Sequence, residues 1–180
     1  MNALSLSNQQ LDSRHAVTRL PGEFARDSLL AGLSGGIAMT TVGMLLAVSS
    51  GYNVWVPLKA LGSLILGPNA LSQAGFIAGP VFAGLLIHLI VAALLGALFA
   101  TLTRQVWRLP SDYGVPAVSG LVFGLLLWFV ISLAVPAFLP QLFALAAPAF
   151  IIQYIVYDTL TNLIFARLQP LPYTATGQQP

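Results

Sequence analysis

The 180-residue chain contains no cysteine, which excludes disulfides, thiolate metal sites, iron–sulfur ligation and thiol nucleophiles together. Charge is almost as scarce. Seven basic and five acidic residues make up 7% of the chain, where a soluble globular domain carries roughly 25%, so polar surface is too small to cover a globule in water. There are two histidines, His15 and His88; a paired-imidazole haem or metal site would need a second histidine at the depth of His88, and His15 lies in a polar leader. No HExxH, GxSxG, P-loop, catalytic carboxylate pair or Gly-rich dinucleotide motif occurs, and each of those chemistries needs its residues at fixed spacing. We therefore expect no enzyme, no resident metal and no cofactor. The isoelectric point near 9.3 rests on few groups and indicates no nucleic-acid surface.

Apolar length is what the chain has. Residues are 57% hydrophobic, mean hydropathy is +0.86, and four apolar stretches cover 28–50, 76–103, 114–137 and 142–166. Across them only His88 and Asp158 ionise near neutral pH. Each stretch meets the roughly 20 residues that a helix needs to cross about 30 Å of hydrocarbon, and in lipid a spanning segment must satisfy its own backbone. A barrel would alternate apolar and polar residues, and these runs are apolar on every side. The expected fold class is an all-α integral membrane protein: four transmembrane helices over residues 28–168, a polar tail at 1–27 and a flexible, Pro- and Gln-rich tail at 169–180. The leader holds Glu23 and Asp27 before an overlong apolar run, so it reads as an uncleaved first helix and not as a signal peptide.

Basic residues give the orientation. Arg14, Arg19 and Arg26 precede the first span, Arg104 and Arg108 follow the second, Arg167 follows the fourth, and Lys59 alone falls on the opposite side. The positive-inside rule then places both termini in the cytoplasm. Between the first two spans, residues 51–75 predict a short helix over about 55–67, opened by Pro57 and stopped by Gly67-Pro68-Asn69. With Trp55 beside it and Lys59 and Ser63 on one face, it is expected along the outer membrane surface with Lys59 toward water.

Internal echoes suggest a duplication. Leu33-Ser34-Gly35 matches Val118-Ser119-Gly120 at an offset of 85, and GALFATL from residue 96 matches NLIFARL from residue 162 at an offset of 66. A real repeat would make the bundle two helical hairpins of the same sense; chance likeness among apolar helices is the plainer alternative.

Small residues recur four apart: Gly32 with Gly36, Gly75 with Gly79, Gly120 with Gly124, and a stripe of Gly84, His88, Ala92, Gly96 and Ala100. Such stripes let helix backbones approach closely in lipid. His88 near the membrane midplane is a functional candidate by default, with haem or pigment binding as one use and a structural hydrogen bond as the simpler one. The fourth span carries Tyr154, Asp158 and Asn162 on one stripe and Gln153, Tyr157 and Thr161 on the next. Aligning the echoes sets this face against the His88 stripe, with Asp158 over Ala92 and Gly96. Asp158 is then expected either neutral or hydrogen-bonded to His88, Tyr157 or Asn162. Asp112 and Tyr113 are expected to cap the third span.

The phrases GYNVWVPLK, GLLIH and VYDTLTNLIFA resemble those of small bacterial inner-membrane proteins with four spans and no assigned role. The resemblance covers residues 28–168 and implies architecture and localisation only. The functional expectation is a non-catalytic accessory subunit of a larger inner-membrane assembly of respiratory or photosynthetic type, its partners being the bilayer, other membrane subunits or further copies of itself. The alternative is a small homo-oligomeric transporter or channel using Asp158 and His88, with Asn162, Thr161 and Thr101 as relays on the cytoplasmic side.

Overall fold

The computed structural model describes residues 21–72, 74–111, 114–138 and 151–170. Among them the elements are helices, with no strand: α1 (Pro21–Ser49), α2 (Val56–Leu66), α3 (Ala78–Thr101), α4 (Val115–Phe138) and α5 (Ile151–Leu168), with a 3-10 turn at Pro68–Leu71 and a π-helical turn at Leu102–Val106. Three segments are long and apolar enough to cross a membrane, Gly22–Ser49, Ala78–Val106 and Val115–Val135, and α2 is a shorter apolar helix. α5 has 18 residues, about 27 Å of helix, and is the most polar of the five. Residues 142–150 of the expected fourth span, and Asp112 and Tyr113, lie outside the described residues.

Polarity is distributed inside out. Only 28%, 22% and 17% of the most apolar window in the three long helices is buried, leaving Ile37, Leu45, Phe82, Leu86, Leu94, Val118 and Leu133 exposed. Asp158, Gln153, Thr161 and Asn162 are buried. In water this arrangement would expose a large apolar surface; in hydrocarbon it is the stable one, because the solvent is itself apolar.

α5 is the central helix. It packs against α1 on one side and α4 on the other, while α3 packs against α1 and carries α2 on its outer flank. Missing side chains set these distances. A Cβ built on Gly96 would lie 2.5 Å from Gly32 Cα, and one on Gly36 would lie 2.6 Å from Ala92 Cβ, so α1 and α3 touch backbone to backbone. Gly120 and Gly124 bring α4 equally close to Thr159 and Ile155 of α5. Gly75 and Gly79, expected to form a packing pair, have nothing within 4 Å of a built Cβ. Shifting α1 by 85 residues and α3 by 66, the offsets of the two sequence echoes, carries the pairing of Gly32 with Gly96 and Gly36 with Ala92 onto the register of Gly120 with Thr159 and Gly124 with Ile155.

Two features depart from expectation. α1 is already helical at Pro21, the first described residue and seven residues before the apolar run, because helix does not need hydropathy to continue. Lys59, expected toward water, is 2% exposed, and Ser63 is buried with it. The cause is the seam beside them: Gly62 lies on the Pro80 carbonyl and Gly84 on the Leu58 carbonyl, which draws the polar stripe of α2 inward. The Lys59 stem lies buried and its Nζ reaches Gly75 O at 3.5 Å, while Leu64, Ile65 and Leu66 face out.

Candidate functional site: a cleft between α3 and α4

α3 and α4 make little direct contact; they meet where Phe99 and Trp107 abut Phe123, with ring centroids 4.2 and 5.4 Å apart. Above that contact the helices stand apart over α5 and leave two adjoining cavities. The larger, about 270 Å³, reaches from Met39 of α1 and Leu58 of α2 to Ile131 of α4 and includes His88, Gln153, Tyr154 and Tyr157. The smaller, about 190 Å³, is lined by Leu98, Phe99, Phe123 and Val130 and has Asp158 on its wall. Leu95 and Leu127 line both, so the two form one cleft with apolar sides and a polar floor.

Three of the deep polar groups are spent on neighbouring backbone. His88 Nε2 stands 2.9 Å from Gly36 O, and since a carbonyl only accepts, the proton is on Nε2. Tyr157 donates its hydroxyl to Ala92 O at 2.6 Å. Asn162 donates Nδ2–H to Pro116 O at 2.7 Å and to Ser119 Oγ. The bonds run α3 to α1, α5 to α3 and α5 to α4, so together they tie four helices. Any ligation through His88 Nε2 would have to break the bond to Gly36 first.

Asp158 is different. It is 3% exposed and its Oδ2 has no hydrogen-bond partner among the described residues. None of the three groups expected to bond it does so, because each donates to a carbonyl instead. Nor does it sit over Ala92 and Gly96, where Gly32 already packs; it faces the Leu95 and Phe99 side of α3. The remaining residues singled out in the sequence fall into place around the cleft: Gln153 packs on Gly43, Tyr154 lines the larger cavity, and Trp55 stands outside it, edge-on to Phe76 at 4.9 Å.

Two polar arrangements were not legible in the sequence. Gly35 receives Thr161 and Tyr157 of α5, a contact hidden because Gly35 breaks the four-residue spacing. At the end where α1 begins and α5 finishes, Asp27 accepts Nε and Nη2 of Arg26 at 3.0 and 2.9 Å and Gln169 Nε2 at 2.6 Å. Arg104, in the π-helical turn, donates to Gln169 O and Leu109 O, both at 2.7 Å, and its guanidinium lies 5.5 Å from the Phe165 ring centre. Asp27 and Gln169, read as tail residues, are parts of this clasp.

No protein-family model, curated protein or solved structure matches the chain.

Proposed function

We propose that this chain is a non-catalytic integral membrane protein of the bacterial inner membrane that crosses the bilayer four times, α5 completing the fourth span, and serves as an accessory subunit of a larger membrane assembly. The observation that carries this reading is the use of the intramembrane polar groups: His88, Tyr157 and Asn162 each hold a neighbouring backbone carbonyl, which fixes helix register and leaves them no free hydrogen-bonding proton for chemistry. Long apolar faces on α3 and α4 are left for lipid or another subunit. The matching register of the α1–α3 and α4–α5 pairs supports a duplicated hairpin, and the arginine distribution supports cytoplasmic termini. Extraction in mild detergent followed by native electrophoresis tests the role. The reading requires the chain to migrate with larger membrane polypeptides; repeated isolation of the chain alone contradicts it.

A second reading, an ion or proton carrier working as a homo-oligomer, is favoured by one observation, the unpartnered Asp158 oxygen inside the bundle. It predicts a flux in reconstituted vesicles that Asp158→Asn abolishes.

A further inference from the structure

We propose that the α3–α4 cleft binds a membrane-dissolved amphiphile, an apolar chain bearing a hydroxyl or amine head whose hydrogen-bond donor meets Asp158. A buried polar oxygen without a partner is rare and calls for an explanation, since leaving such a group unsatisfied is costly. Asp158 Oδ2 is such an oxygen, and the wall around it is apolar on both flanks: Leu95 and Phe99 from α3, Phe123 and Leu127 from α4. An apolar pocket with one convergent polar group is the usual form of a small-ligand site.

The direction of access fits a lipid-borne ligand. Leu98, Leu126 and Val130, at the rim of the smaller cavity, are 53%, 53% and 56% exposed, so the cleft opens sideways, on the faces that meet hydrocarbon. Its α3 wall runs from Ile87 to Phe99, about 18 Å at the helical rise, which is a length suited to an extended alkyl or prenyl chain. A partner helix, roughly 10–12 Å across with its side chains, is too wide for cavities of 190 and 270 Å³. Asp158 offers the head an acceptor, and His88, Gln153 and Tyr154 line the far part of the cleft.

The test is equilibrium binding of tritiated hexadecanol, hexadecylamine and hexadecane to the full-length protein in detergent. At least one headed probe should bind about tenfold or more tighter than the alkane, and Asp158→Leu should erase that difference. Asp158→Asn, which keeps an acceptor and removes the possibility of charge, identifies the head: loss of amine binding alone indicates a cation, and retention of alcohol binding a neutral donor. Should Asp158→Leu fail to fold by size-exclusion chromatography, Leu127→Trp narrows the cleft while leaving Asp158 itself in the chain and should weaken the headed probes by a similar factor. Alkane bound as tightly as both headed probes, or headed probes held equally by wild type and Leu127→Trp, overturns the proposal. Neither result bears on whether the chain has a protein partner.

Discussion

Glycine positions carry the sharpest residue-scale consequences. Gly96→Ala places a methyl 2.5 Å from Gly32 Cα, where backbone must move, so thermal unfolding in detergent should show a loss of about 1–3 kcal/mol. Gly79→Ala meets nothing within 4 Å and should leave the midpoint unchanged or slightly raised. Tyr157→Phe removes the bond to Ala92 O and little else; about 0.5–1.5 kcal/mol is the expected loss by the same measurement. At this scale the sequence was a partial guide. Gly32, Gly36, Gly120 and Gly124 could be read as packing positions because their four-residue spacing falls inside long apolar helices, whereas Gly75 and Gly79, with the same spacing at a helix mouth, meet nothing. The orientations of Lys59 and Asp158 could not, because each depends on which neighbouring helix comes close, and that is decided for Lys59 by Gly62 of its own helix meeting Gly84 of α3, and for Asp158 by Gly32 of α1 filling the face of α3 it was expected to meet.

Elements were more legible than contacts. The short helix, expected over about 55–67, is Val56–Leu66, and the second and third spans begin and end within two residues of α3 and α4, because Pro and Gly punctuation and the ends of apolar runs fall at the same places. The helical stretch of α1 ahead of residue 28 is not legible in the sequence, since hydropathy marks an apolar run and not a helix. That extra turn holds Asp27, which accepts from Gln169 after α5. Asp27→Ala removes the acceptor for both Arg26 and Gln169, and hydrogen exchange should quicken in residues 21–27 and 165–170 by roughly tenfold, while the middle of α3 keeps its protection. Uniform acceleration through all five helices would show that the clasp holds the whole bundle and not its ends alone.

The whole molecule has inverted polarity: polar side chains gather around α5, and large apolar ones turn outward along α1, α3 and α4. Length and composition already point to lipid as the solvent, with three helices long and apolar enough to cross a membrane. Which helix became the centre was not legible, because α5 is recognisable as central only once its buried face, Gln153 through Ala166, is seen between α1 and α4. The lack of native cysteine makes a direct test clean. Single cysteines placed at Leu86, Leu94, Val118 and Leu133, spin-labelled in lipid nanodiscs, report contact with oxygen, which concentrates in hydrocarbon, and with a water-soluble nickel chelate. High oxygen and negligible nickel accessibility at all four is the predicted result, and nickel accessibility at these sites comparable to that of a label in free solution would contradict it.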